Sequence, residues 1–128
     1  MADEKVLLAV TELGGYRNFA PLYAALGYTV VMENSVRNAI RALKKITPQL
    51  IVAEFNFQSD FRDRTSNLES LLSSIQRFPE IKVIVFYESD YAHQLEKLKA
   101  QYPLFAALSF PIDEAALRDS IQRAAFDQ

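Results

Sequence analysis

Thr47-Pro48-Gln49-Leu50-Ile51-Val52-Ala53-Glu54 is the stretch of sequence that decides the fold. Its apolar run lies between a Thr-Pro breaker and a polar segment that extends to Ser66. A continuous apolar run of this length between breakers is typical of a strand buried on both faces, as in a parallel sheet. Ligands of open α/β sheets bind just beyond the carboxyl ends of the strands, which makes Glu54 the first candidate functional residue.

Length and composition narrow the class of protein. The 128 residues are expected to form one domain, residues 1–128. With 14 basic and 16 acidic residues, the net charge of −2 predicts neither direct nucleic-acid binding nor attraction to a membrane. The absence of cysteine excludes disulfides and thiolate catalysis and fits a cytoplasmic protein. The acidic start, with no long apolar segment after it, predicts neither a signal peptide nor a membrane span.

Apolar runs and helical periodicities alternate along the whole chain. This alternation predicts right-handed crossovers and a parallel sheet covered on both faces. With five such units we expect an α/β, flavodoxin-like, doubly wound sheet in the order 2-1-3-4-5, with a crevice beside Glu12 and Glu54. The predicted strands are Val6–Val10, Tyr28–Met32, Leu50–Glu54, Val83–Phe86 and Leu104–Leu108.

Local signals mark the ends of the helices. Gly27 is expected to stop the first helix in a left-handed conformation. Ser66 followed by Glu69 matches a capping box for the third helix. The predicted helix caps are Asn18, Asn34 or Ser35, Ser66, Ser89 or Asp90, and Asp113.

The chain resembles the CheY-like receiver domain of two-component response regulators. The resemblance is strongest in three segments: Leu26-Gly27-Tyr28, Thr47 to Glu54 and the Pro111 junction. The resemblance covers nearly the full chain. It implies the same fold, a role in a phosphorelay and a protein partner or attached signalling domain. In that family an acidic pair ends the first strand and holds Mg²⁺, and an aspartate on the third strand accepts a phosphoryl group. The positions that match the family's functional residues are Thr11 and Glu12 (acidic pair), Glu54 (acceptor), Asn56 (metal-binding carbonyl), Tyr87 (hydroxyl), Ala107 (switch aromatic) and Phe110 (lysine).

Each of these positions departs from the family's chemistry, which predicts a degenerate receiver, or pseudo-receiver. Phosphotransfer needs a metal and a cation to neutralise the transferring oxygens. Thr11 removes a carboxylate from the metal site, and Phe110 removes the cation. Glu12 and Glu54 remain only as weak candidate metal ligands. We therefore expect no catalytic residues, no enzymatic activity and no cofactor.

Glu54 and Tyr87 each allow a more specific hypothesis. Glu54 mimics a phosphorylated aspartate, or is a residual metal ligand, or is a strand-end carboxylate satisfied by backbone or by Tyr87. Tyr87, with the small Ala107 beside it on the next strand, is expected to fill the volume that a switch aromatic would visit. That filling would hold a single conformation.

Two functions remain open from the sequence. The first is a phosphorylation-independent module for protein interaction or homodimerisation; the second is an unconventional receiver that responds to phosphodonor, Mg²⁺ or a small ligand. Gly14-Gly15 lacks the motif of a nucleotide-binding loop. His93 is the only histidine, so a second histidine for a metal site is missing. The basic residues of the second helix are typical of a solvated surface. The resemblance implies a partner surface on the fourth helix, fifth strand and fifth helix, with candidates Tyr91, Lys97, Phe105, Arg118 and Gln122.

Overall fold

Five strands and five helices alternate along the chain in the computed structural model, which describes residues 5–11, 18–55 and 68–126. The strands are β1 (Val6–Val10), β2 (Thr29–Glu33), β3 (Leu50–Glu54), β4 (Lys82–Tyr87) and β5 (Ala106–Ser109). The helices are α1 (Ala20–Ala25), α2 (Val36–Ala42), α3 (Glu69–Ser74), α4 (Ala92–Gln101) and α5 (Glu114–Phe126). A short 3₁₀ turn, Ser89–Tyr91, leads into α4.

The strands form one parallel sheet in the order β2-β1-β3-β4-β5, which confirms the predicted flavodoxin-like topology. The central strand β3 lies between β1 and β4, with Ile51 beside Leu8 on one side and beside Val83 on the other. All five residues of β3 are buried. The apolar run therefore predicted the buried strand correctly. In a parallel strand that helices cover on both faces, side chains on both sides are buried, so apolar and polar residues do not alternate.

Helices cover both faces of the sheet and create two separate cores. One core is formed with α1 and α5, the other with α2, α3 and α4. The alternation of side chains along each strand decides which core a residue enters. On β3, Leu50 and Val52 enter the α1/α5 core, whereas Ile51 and Ala53 enter the α2/α3/α4 core.

Most predicted helix boundaries are confirmed to within one or two residues. Gly27 follows α1 with a φ of +98°, the left-handed conformation expected of it. The Ser35 hydroxyl accepts a hydrogen bond from the Asn38 amide at 3.0 Å and so caps α2. Asn18 accepts from the Ala20 amide at 2.9 Å.

Several boundaries differ from the prediction. β4 is one residue longer at each end, β2 and β5 each end one residue later, and α4 begins at Ala92, after the predicted caps Ser89 and Asp90. β2 begins at Thr29 rather than at Tyr28, whose side chain packs into the α1/α5 core. β5 begins at Ala106 rather than at Leu104. α3 begins at Glu69, later than a cap at Ser66 would give, and Ser66 itself lies outside the described residues. None of the helices within the described ranges combines the length and the apolarity of a bilayer span.

Candidate functional site

Glu54 ends the central strand and turns its side chain towards α1. It continues the alternation of Leu50 and Val52, and its register partner on β4, Phe86, also enters the α1/α5 core. Only 3% of its surface is exposed. A buried carboxylate on a strand that is otherwise apolar is costly to keep unless its surroundings compensate the charge, so its neighbours matter.

A small cavity adjoins Glu54 at the carboxyl ends of β1 and β3. Its volume is about 20 Å³, enough for about one water molecule. Thr11 follows the end of β1 and lines this cavity together with Glu54. The predicted crevice lay beside Glu12 and Glu54, and Glu12 lies outside the described residues. The other lining residues are Ala9, Val10, Asn18, Phe19, Tyr23, Met32, Val52 and Phe86.

Tyr23 is the part of this site that sequence reasoning missed. Its side chain is 3% exposed on α1 and lines the same cavity as Glu54. Burial raises the pKa of the Tyr23 hydroxyl, and the nearby negative charge of Glu54 raises that pKa further. The available signal was spacing, because Tyr23 follows Phe19 by four residues on the buried stripe of the helix.

Tyr87 lies on the opposite face of the sheet from Glu54. It is half-buried against the α2/α3/α4 core, together with Ala107 and Tyr91. The reason is again the alternation along β4, on which Val83 and Val85 point to this core whereas Phe86 points to the other. Tyr87 is not among the described residues that line the cavity of Glu54, and the hypothesis that Tyr87 satisfies this carboxylate stays a prediction.

The residues of the pocket expected from the resemblance therefore lie on different faces of the sheet. Thr11 and Glu54 lie at the cavity, and Tyr87 lies across the sheet. Phe110 follows β5 with 50% of its surface exposed, and its amide donates to the Tyr87 carbonyl at 2.7 Å. Glu12 and Asn56 lie outside the described residues.

Magnesium does not fit the described part of the crevice. Mg²⁺ requires six oxygen ligands in a near-octahedral arrangement and usually retains several waters. Thr11 and Glu54 supply one hydroxyl and one carboxylate, beside a cavity of about 20 Å³. Within residues 5–11, 18–55 and 68–126, no three His, Asp or Glu side chains gather as a metal site would require.

The candidate partner surface contains two kinds of residue. Lys97, Arg118 and Gln122 are exposed. Tyr91 and Phe105 are half-buried, but against opposite cores, so they lie on different faces of the sheet. Arg118 is paired with Glu114 of its own helix at 3.7 Å.

Comparison with known proteins gives a likeness in structure but none in sequence. No protein-family model and no curated protein matches the chain. The signal receiver domain of an HD domain-containing protein from Pseudomonas fluorescens Pf-5 superposes with a TM-score of 0.77 at 16% identity, over 98% of this chain and 96% of that one. The signal receiver domain of a putative LuxO repressor protein from Vibrio parahaemolyticus has a TM-score of 0.72 at 20% identity, and the match covers 98% of this chain and 95% of that one. A response regulator receiver domain protein from Clostridium thermocellum has a TM-score of 0.73 at 16% identity, over 95% and 94%.

The fold is that of receiver domains. These solved domains are matched over almost their whole length, which agrees with the predicted strand order and with the two cores.

Proposed function

We propose that this chain is a receiver-like signalling domain, spanning residues 1–128, that acts through protein contacts without being phosphorylated. The observation that carries the proposal is the burial of Glu54, which stands at the position of the phosphoacceptor. Its side chain faces α1 and shares a cavity with Tyr23 instead of lying open at the edge of the sheet.

The geometry around Glu54 opposes phosphoryl transfer. A donor would have to reach the carboxylate in line with its leaving group, with a metal and a cation at the transferring oxygens. The cavity beside Glu54 measures about 20 Å³, which is close to the volume of one water rather than of a phosphoryl group. At the position of the family's lysine, Phe110 offers an exposed aromatic ring and no charge.

The packing of Tyr87 supports a single fixed conformation. Its ring is half-buried against the same core as Ala107, so it does not point wholly into solvent. Ala107 lies two residues before Ser109, the register partner of Tyr87 on β5, and so on the same face of the sheet. A large residue on β4 near this small one on β5 occupies volume that a moving aromatic would need. A domain with this packing presents one constant surface to its partner, which suits a constitutive contact better than a switch.

We infer that the partner is a separate protein, an attached signalling domain or a second copy of the chain. The candidates for that contact are the exposed residues Lys97, Arg118 and Gln122 and the half-buried residues Tyr91 and Phe105. In this role the domain contributes binding and no chemistry.

Intact-mass spectrometry after incubation with acetyl phosphate and Mg²⁺ tests the proposal. We expect the mass to stay unchanged, while a receiver domain with an aspartate acceptor, treated in parallel, gains the mass of one phosphoryl group. A matching gain in this chain that disappears in Glu54→Gln would overturn the proposal. It would favour the unconventional receiver instead.

A further inference from the structure

The second helix carries a concentration of positive charge that the rest of the chain does not share. From residue 34 to residue 53 the sequence has four cations, Arg37, Arg41, Lys44 and Lys45, and no acidic residue. All four are exposed. Among the described residues none of them has a carboxylate within ion-pair distance, whereas ion pairs do form on α4 and α5.

Helix geometry alone does not account for this charge. Cations at the carboxyl-terminal end of a helix interact favourably with its dipole, which accounts for Arg41 in the last turn of α2 and for Lys44 and Lys45 just after the helix. Arg37 lies in the first turn of α2, where the same dipole disfavours a cation. Arg37 and Arg41 are four residues apart, a spacing at which like charges repel across one helix face.

An open groove adjoins this basic surface between the carboxyl-terminal ends of α2 and α3. We call it the α2–α3 groove; its volume is about 510 Å³. Its apolar floor consists of the half-buried side chains Ile40, Leu43 and Phe78. Lys44, Arg77 and Ser73 lie at its rim.

The guanidinium group of Arg77 is held against a neighbouring aromatic ring. Its guanidinium carbon lies 5.4 Å from the centre of the Phe78 ring, a cation–π contact that restricts the side chain. Among the residues that the structure describes, no carboxylate lines the groove, so the described lining does not neutralise the charges of Lys44 and Arg77. An apolar floor between two cations is complementary to an apolar side chain flanked by carboxylates.

We propose that the α2–α3 groove binds an acidic peptide segment of a partner protein, with an apolar side chain on the floor and carboxylates at Lys44 and Arg77. This inference rests on the proposed function in one respect, that the domain acts by protein contact. It adds a contact site formed by α2 and α3, separate from the candidate residues of α4 and α5.

The described surface favours a peptide over two other anionic occupants. A nucleic acid would engage the cations through its phosphates and leave the apolar floor unused, and the net charge of −2 gives it no general attraction. A second copy of the chain could supply the acids of α4 and α5 only by breaking ion pairs that they already form. Glu96, Glu114 and Asp119 each bind a cation of their own helix.

Fluorescence anisotropy tests the inference with a labelled peptide of about a dozen residues, in which Glu and Asp flank a central Leu-Phe pair. We expect the peptide to bind the native chain, with affinity that falls as salt is raised. The double variant Lys44→Glu/Arg77→Glu should weaken binding by about tenfold or more, because truncating or reversing charges at a contact raises dissociation. The matched control Lys99→Glu/Arg123→Glu reverses one lysine and one arginine that are exposed on α4 and α5, and should change the affinity by less than about twofold.

Several outcomes would overturn the inference. No binding of the peptide, or equal loss in both double variants, would remove the groove as its site. Equal binding of an uncharged peptide with Gln and Asn, or of a single-stranded oligonucleotide, would contradict the stated chemistry. Self-association in sedimentation that Lys44→Glu/Arg77→Glu abolishes would assign the surface to a second copy.

The same assay distinguishes this inference from the proposed function. Peptide binding that is identical with and without acetyl phosphate and Mg²⁺ supports both. Binding that requires the phosphodonor would retain the groove and reject the proposed function. Circular dichroism of each variant shows that a loss of binding is not a loss of fold.

Discussion

At the scale of residues, Glu54 and Tyr23 place two buried polar side chains at one cavity. A carboxylate and a phenol lie in surroundings that are otherwise largely apolar, and both are 3% exposed. In such surroundings charge is expensive, so a neutral phenol beside an anionic carboxylate is favoured over two anions. This explains why both burial and Glu54 shift the Tyr23 pKa in the same direction.

The raised pKa of Tyr23 predicts how stability depends on pH. The unfolded chain releases this proton above about pH 10, whereas the folded chain retains it. The stabilisation is complete below that pH, and the free energy of unfolding falls as pH rises above it, by at most about 1.4 kcal/mol per pH unit. In Tyr23→Phe the decline should be shallower, though burial also raises the pKa of Tyr28 and leaves part of the slope.

Urea unfolding between about pH 9 and pH 11 measures this slope. The variant Glu54→Gln keeps the shape of the side chain and removes its charge; its slope should stay steeper than that of Tyr23→Phe, because burial, the larger cause of the raised pKa, remains. Identical slopes in the native chain and Tyr23→Phe would show that the Tyr23 proton is not coupled to folding.

Tyr87 and Ala107 are predicted to be energetically coupled. Tyr87→Ala should destabilise by roughly 1–3 kcal/mol, below the range for a fully buried aromatic because the ring is half-buried. Ala107→Tyr should cost about 1–3 kcal/mol through overpacking. If the two side chains share one volume, the double variant should cost less than the sum of the two by about 1 kcal/mol.

A control cycle isolates that coupling. Tyr28→Ala with Ala107→Tyr joins residues on opposite sides of the sheet, since Tyr28 precedes β2 at one edge and Ala107 lies on β5 at the other. Those two effects should add to within about 0.5 kcal/mol. Additivity in the Tyr87–Ala107 cycle as well would contradict the idea that Tyr87 fills a switch volume.

At the scale of elements, β2 depends on the residues that stop one helix and start the next. Gly27 turns the chain after α1, and Ser35 caps α2 immediately after the strand. Both are local backbone requirements, which is why sequence patterns were sufficient to predict them.

Gly27→Ala isolates the backbone part of that requirement. A Cβ built at this position would have no neighbour within 4 Å, so no steric clash contributes. The φ of +98° alone should cost about 1–2 kcal/mol in an L-residue other than Gly or Asn. Gly27→Asn should cost less than Gly27→Ala, and equal stability of all three proteins in urea would mean that the turn does not hold this conformation in solution.

The elements also show what sequence could and could not predict. The apolar run at Leu50 to Glu54 and the strand order were predictable, because burial on both faces and short crossovers leave few alternatives. The face to which each side chain points was not, since it depends on a register that alternates by single residues. For that reason the cavity that Glu54 shares with Tyr23 was not predicted. Tyr87, one candidate to satisfy Glu54, packs against the opposite core.

At the scale of the whole molecule, a net charge near zero conceals an uneven distribution. Residues 88–119 contain six acidic and three basic residues, whereas residues 34–53 contain four basic and no acidic ones. In the acidic segment, residues 88–119, three carboxylates form ion pairs within α4 and α5. The basic surface formed by α2 and the turn after it does not do so among the described residues, so these two surfaces differ in the partners that they suit.

The central claim is that the receiver fold is retained here with its acceptor position buried and chemically silent. Titration of the ¹⁵N-labelled chain with beryllofluoride and Mg²⁺, an analogue of the phosphorylated state, tests it most directly by NMR. We predict no change in the amide resonances of the strand ends, including Thr11, Phe55 and Phe86. Saturable shifts at these amides that Glu54→Gln abolishes would contradict the account.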